Sequence, residues 1–147
     1  MKRRILLVDD DLAVLLTLKA VLELNDFEVE IAQGTAEAFR RMDSGVYHMV
    51  ISDLRMETED SGLEVIRAAH RQSYAPATAL LTPFPPSEEL TNGLRSAGQP
   101  DSLLVKPIGT RDLVRQIEAM LIRHADQRQI NSRLRDEPTP VPKRSAG

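Results

Sequence analysis

Five times along this chain a short apolar run is followed by a stretch with helical spacing. The runs fall near residues 4–9, 27–32, 47–53, 77–82 and 102–105, and the helical stretches near 11–24, 35–43, 62–73, 87–97 and 110–124. Five βα units in series imply a parallel sheet with right-handed crossovers. The runs Ile5-Leu6-Leu7-Val8, Met49-Val50-Ile51-Ser52 and Ala77-Thr78-Ala79-Leu80-Leu81 are nearly continuous, as in strands covered on both faces. Phe27-Glu28-Val29-Glu30-Ile31 alternates with period two, as a half-covered edge strand does. The pattern predicts an α/β fold with a five-stranded parallel sheet of order 2-1-3-4-5 and helices on both faces. In that order the switch point lies between strands one and three, and ligands bind beyond the carboxyl ends of the strands.

The helices supply the apolar faces such a sheet needs. The first carries Val14, Leu15, Leu18, Val21 and Leu22 on one side; the last carries Leu113, Val114, Ile117, Met120 and Leu121, with Thr110 placed to cap its start. A single domain over 1–125 is expected from the length of 147 residues. Residues 126–147 read as a helical extension and a flexible tail. Ile130 and Leu134 continue the helical spacing, and Pro138, Pro140 and Pro142 stop it. The extension lacks the heptads of a coiled coil; a homodimer is left open.

Composition excludes several classes of function. The net charge of −3 gives no general attraction to nucleic acid. The few aromatics (Phe27, Phe39, Tyr47, Tyr74 and Phe84) make a poor stacking platform for single strands. Cys is absent, which rules out disulfides and thiolate metal sites and fits a reducing, cytoplasmic setting. After Met1-Lys2-Arg3-Arg4 the apolar run is too short for a secretory signal, and no segment reaches the roughly 18 apolar residues of a membrane span. No G-x-G-x-x-G or Walker-type loop is present. His48, His70 and His124 have no metal-ligand spacing, and the arginines from Arg111 to Arg135 read as a solvated face.

Asp9, Asp10 and Asp53 lie just past the first and third runs, so the predicted sheet brings three carboxylates to its switch point. Their repulsion raises their proton affinity and disfavours the compact state unless a cation neutralises them. Mg²⁺ suits such a site, because it takes one or two carboxylates, waters and a phosphate. Asp53, ending the central strand, is placed to act as a nucleophile toward phosphorus, with the metal offsetting charge. Thr82 and Lys106, at the ends of the fourth and fifth runs, add a hydroxyl and a cation at the same edge.

These pieces, in this order, resemble the receiver domain of two-component response regulators, a flavodoxin-like fold. Ile5-Leu6-Leu7-Val8-Asp9-Asp10-Asp11 is similar to the family's first-strand motif. Asp53-Leu54-Arg55-Met56 is similar to its phosphoacceptor strand end, with Gly62-Leu63-Glu64 starting the next helix. Thr82 matches the switch hydroxyl, Val105-Lys106-Pro107 the Lys-Pro motif, and Ala97-Gly98 the approach to the fifth strand. The resemblance spans roughly residues 3–124. It implies that Asp53 accepts phosphate from a histidine kinase or phosphotransfer protein and that Asp9 and Asp10 hold Mg²⁺. Arg55 would add its backbone carbonyl, Lys106 would pair with phosphoryl oxygens, and Thr82 would report the phosphate. The expected role is a stand-alone, phosphorylation-controlled protein-binding module. It would catalyse only its own phosphoryl transfer and slow autodephosphorylation, with no nucleic-acid or membrane partner.

The chain departs from the family pattern in four places. Pro83 stands where a small residue usually donates its backbone N–H to the phosphoryl group, and proline has none. Leu103 replaces the usual aromatic residue three before the lysine. Glu57 replaces the usual proline after Met56, and the segment Glu57-Thr58-Glu59-Asp60-Ser61 is one residue longer than usual, with acids able to alter metal affinity or access. Pro83-Phe84-Pro85-Pro86 makes a stiff entry to the fourth helical stretch.

Two other readings compete. A degenerate receiver that binds partners without phosphorylation draws on Pro83 and Leu103. A phosphatase similar to the haloacid dehalogenase superfamily would use Asp9 as nucleophile with Asp11 two residues on. Ala13, the missing acidic pair after the lysine and the absence of a cap domain speak against it. Leu12 and Leu16 add a second apolar stripe to the first helix, either a wide buried face or a docking surface for a phosphodonor beside the pocket.

Overall fold

The computed structural model describes residues 2–83, 88, 92, 100–106 and 109–136, leaving the side chains of 135 and 136 aside. Five strands, β1 (Arg3–Val8), β2 (Phe27–Ala32), β3 (Met49–Asp53), β4 (Ala77–Thr82) and β5 (Ser102–Val105), form one sheet. All pairings are parallel and the spatial order is β2-β1-β3-β4-β5, as the alternation of runs predicts. Four described helices accompany them: α1 (Leu12–Leu24), α2 (Thr35–Ser44), α3 (Ser61–His70) and α4 (Thr110–Asp136). Of the helical stretch expected over 87–97, residues 88 and 92 are described, both helical; the rest of it, the Pro85-Pro86 entry, Ala97-Gly98, Pro107 and the tail from 137 lie outside the described residues.

Strand side chains alternate between faces, and the sheet divides its core accordingly. Ile5, Leu7, Met49, Ile51, Ala79 and Leu81 pack against Leu15 and Leu22 of α1 and Leu113, Ile117, Met120 and Leu121 of α4. Leu6, Val8 and Val50 face the other way, onto Ala38 and Met42 of α2 and Val65, Ala68 and Ala69 of α3. Both faces are therefore covered, and the near-continuous apolar runs of β1, β3 and β4 are fully used. A third cluster, Leu54, Leu63, Ile66 and Leu80, packs beside β5 and takes in Leu103. Leu103, partly buried, thus packs against this cluster at the site where an aromatic was expected.

Local signals set most boundaries. Asp11 caps α1, accepting the N–H groups of Ala13 at 3.0 Å and Val14 at 3.4 Å. Helix α4 starts differently from the sequence expectation. Thr110 is its first helical residue, and the first bond runs from Leu113 N–H to the Gly109 carbonyl at 2.9 Å. The cap position therefore falls on Gly109. At its far end α4 continues past 125 to Asp136. Strand β3 starts at Met49, later than its apolar run, because the His48 ring takes over one bond of the ladder. Arg4 N–H donates to His48 Nδ1 at 2.9 Å, while His48 N–H donates to the Arg4 carbonyl at 2.8 Å. No described helix is long and apolar enough to cross a membrane.

Candidate functional site

The register of the three central strands decides what meets at their carboxyl ends. Val8 pairs with Ser52, so Asp9 and Asp53 emerge side by side at the end of β1 and β3. Asp53 pairs with Leu81, which brings Thr82 to the same edge, and Thr82 pairs with Val105, which brings Lys106. Backbone bonds fasten the rim. Asp9 N–H donates to the Ala32 carbonyl (3.1 Å), Leu54 N–H to the Leu81 carbonyl (2.9 Å) and Lys106 N–H to the Thr82 carbonyl (2.7 Å).

Asp9, Asp10 and Asp53 form one cluster, each offering a carboxylate oxygen within 4.8 Å of the others. Asp9 is 2% exposed and Asp53 9%, whereas Asp10 faces solvent. The two buried acids share one cation: Lys106 Nζ lies 3.2 Å from Asp9 Oδ2 and 3.3 Å from Asp53 Oδ1. Their remaining capacity is partly used by backbone donors. Asp9 Oδ1 accepts Asp11 N–H at 3.0 Å, and Asp53 Oδ1 accepts Leu54 N–H at 3.1 Å. Thr82 is fully buried at the strand end, and Arg55 is exposed in the loop after β3.

Electrostatics follow from this crowding. Burial and the charge of Asp9, with a smaller push from Asp10, raise the Asp53 carboxyl above its ordinary value although Lys106 opposes them. Asp10 is raised as well, by burial, by its hydrogen bond with Asp9 and by the charges of Asp9 and Asp11. Burial disfavours the Lys106 ammonium, yet Asp53 and Asp9 outweigh it and hold the lysine above its usual range. Lys106 thus serves two of the three acids, Asp9 and Asp53, and the third, Asp10, faces solvent beside them. Hard oxygen donors at loop tips, one solvent-facing and two rigid, fit an octahedral divalent ion of the Mg²⁺ type.

Two supporting residues carry roles that the sequence did not assign to them. Gly62 donates its N–H to the Leu54 carbonyl at 2.9 Å, and a Cβ there would lie 2.3 Å from the Asp53 carbonyl oxygen and 2.7 Å from Leu54 Cα. Only glycine allows α3 to start so close to the phosphoacceptor candidate. Its place at the start of the third helical stretch was the available signal.

Glu57, expected to add acid near the metal, is instead committed to α2. Its Oε2 accepts Thr35 N–H at 2.9 Å and the Thr35 hydroxyl at 3.4 Å. The helix needs this, because its cap residue Gly34 offers no side chain. A Cβ on Gly34 would in turn collide with Glu57 Oε2 at 2.3 Å. Burial works against the Glu57 charge, but bonds from Thr35, from its own backbone and from Ser61 lower its proton affinity overall.

Comparison with known proteins agrees with this architecture. Residues 5–118 match the family described as the response regulator receiver domain. The chain is 31% identical over 122 residues to the transcriptional regulatory protein CpxR homolog of Haemophilus influenzae, covering 83% of this chain and 52% of that protein. It is 32% identical over 120 residues to the transcriptional regulatory protein PrrA of Mycobacterium tuberculosis, covering 82% and 50%. The chain therefore spans about half the length of the curated relatives it matches. Among solved structures, a CheY-like response regulator receiver domain protein from Methanospirillum hungatei superposes with a TM-score of 0.77 at 28% identity, covering 86% of this chain and 99% of that one. With the sheet order, the acidic cluster and these matches in agreement, the chain belongs to the response regulator receiver domain family.

Proposed function

We propose that this receiver domain is phosphorylated on Asp53 and signals by phosphorylation-dependent binding to another protein. The observation that carries the reading is the shared contact of Lys106 Nζ with Asp9 and Asp53, which sets a cation beside a nucleophilic carboxylate. Asp9, Asp10 and Asp53, with the backbone carbonyl of Arg55, would hold Mg²⁺, which when bound supplies positive charge against the anionic phosphoryl group. Asp53 attacks phosphorus with a carboxylate lone pair. An O–P bond forms as the P–N bond of a phosphohistidine donor breaks, and the departing imidazole nitrogen keeps the electron pair and takes a proton from solvent. Lys106 pairs with a phosphoryl oxygen, and the Thr82 hydroxyl donates to another.

The donor would be a histidine kinase or phosphotransfer protein, and the site turns over no substrate beyond its own phosphoryl group. Transcriptional regulation is the role named for the longer relatives. For this chain the proposed output is a protein contact. A degenerate receiver remains the second reading, favoured by Pro83, which stands exposed directly after Thr82 and lacks an N–H.

The test is incubation with acetyl phosphate and Mg²⁺ followed by intact mass. One added phosphoryl group, absent in Asp53→Asn and without added Mg²⁺, is the expected result. A group retained in Asp53→Asn but lost in Asp9→Asn would move the nucleophile to Asp9. No addition to the native chain would leave the degenerate reading in its place.

A further inference from the structure

The opposite pole of the sheet holds a second concavity, unrelated to the acidic cluster. Helix α4 runs on past the edge where the strands begin and leaves a cleft of about 550 Å³ against the segments before β3 and β4. That size lies within the range of small-molecule sites. Two bonds tie α4 to the segment before β4. His124 Nε2 donates to the Ala75 carbonyl at 2.8 Å, and Arg128 donates to the Tyr74 carbonyl at 3.4 Å.

The lining is apolar with a positive rim. Val46 and Ile122, each 57% exposed, line the cleft with the half-buried Tyr74 ring, while the Tyr47 ring beside it is only 2% exposed and carries the Arg4 guanidinium 4.9 Å over its face. Those rings meet edge to face with centroids 6.3 Å apart. Two guanidiniums, Arg3 and Arg128, line it, and neither makes an ion pair among the described residues. Among the described residues the lining holds one acid, Asp126. His48 also contributes. Its Nδ1 accepts Arg4 N–H, so in the neutral ring the proton sits on Nε2 and the imidazole keeps a donor. Burial and the charges of Arg3 and Arg4 depress His48, a second sign that the field at this end is positive.

We propose that this cleft binds a small aromatic carboxylate, its ring against Ile122, Val46 and Tyr74 and its anion at Arg3 and Arg128. An aromatic body matches a wall of Ile122, Val46 and the Tyr74 ring, and a single negative charge matches the excess of two guanidiniums over one carboxylate. The site is separate from Asp53, so occupancy does not depend on phosphorylation chemistry.

The test is calorimetric titration of the full chain with indole-3-acetate and, in parallel, with its uncharged counterpart indole-3-acetamide. Saturable one-site binding of the acid is expected, with the amide at least about 10-fold weaker. Arg128→Ala is expected to weaken the acid by a similar factor, and Ile122→Trp, an exposed position that tolerates bulk, to abolish binding. Asp53→Asn is expected to bind the acid as the native chain does. Absence of saturable binding, equal binding of acid and amide, or binding unchanged in Ile122→Trp overturns the proposal. So does a concentration-dependent dimer in sedimentation that Ile122→Trp disperses, since the face would then belong to a second copy.

Discussion

The Glu57 carboxylate caps the Thr35 backbone N–H at 2.9 Å, tying the loop that follows the phosphoacceptor candidate to the start of α2. A capping side chain usually lies within its own helix turn; this one arrives from 22 residues away. Glu57→Ala is expected to cost about 1 kcal/mol in urea unfolding, the usual value of a lost cap. The amide of Thr35 should lose protection in hydrogen exchange, and Glu57→Gln should restore part of both. Because the folded carboxyl is held below its ordinary value, the charged cap is present above the usual glutamate range and is lost as pH falls through the folded pKa. The native-minus-Ala stability difference should therefore shrink on acidification.

The sheet was readable because its strands are short apolar runs of the right length, and the candidate site was readable because each chemical residue ends one of those runs. Asp9, Asp53, Thr82 and Lys106 needed only the order 2-1-3-4-5 to be brought together. Glu57 was not readable. Its partner is remote, and an acid in an acid-rich loop looks like added negative charge until the bare cap at Gly34 is seen. His48 was unassigned for a similar reason, since a side-chain nitrogen replacing a ladder acceptor leaves no sequence pattern.

That His48 contact predicts acid sensitivity near neutrality. The ring must be unprotonated at Nδ1 to accept Arg4 N–H, and burial with the charges of Arg3 and Arg4 lowers its pKa in the folded state. The unfolded chain therefore binds the proton more readily, so stability is full above the unfolded value of about 6.5 and falls as pH drops toward the folded one. Urea midpoints should decline between about pH 7.5 and 5.5. His48→Gln should flatten that part of the profile; an unchanged profile would remove His48 as the cause.

Gly62→Ala should act directly on the phosphoacceptor strand. The new methyl meets two backbone atoms, neither of which can swing away, so α3 or the Asp53–Leu54 peptide must shift. Overpacking of this kind costs about 1–3 kcal/mol. Phosphorylation by acetyl phosphate should fall by more than the unfolded fraction explains. A variant as stable and as readily phosphorylated as the native chain would show that the start of α3 can yield.

Lys106 should oppose the metal as well as assist the phosphoryl group. Its ammonium lies 3.2 Å from Asp9 and 3.3 Å from Asp53, the carboxylates proposed to face Mg²⁺. Lys106→Met removes that competing cation. Mg²⁺ affinity, read by calorimetry, should therefore rise, while the yield of phosphorylated protein falls. A parallel loss of both would mean that the lysine mainly holds the pocket's shape.

Pro83 offers the sharpest separation between a working and a degenerate receiver. It follows Thr82 directly and has no N–H to give to a phosphoryl oxygen. A charge-assisted hydrogen bond at that point contributes about 1.5–3 kcal/mol. Pro83→Ala supplies the missing donor on an exposed residue, so the fold should be preserved. The phosphorylated fraction at limiting acetyl phosphate should increase, by about tenfold or more in the equilibrium ratio of phosphorylated to free protein. Intact mass at several donor concentrations measures that ratio. An unchanged ratio would mean that the backbone after β4 does not face the phosphoryl group, and that Lys106 and Thr82 stabilise it without help from this position.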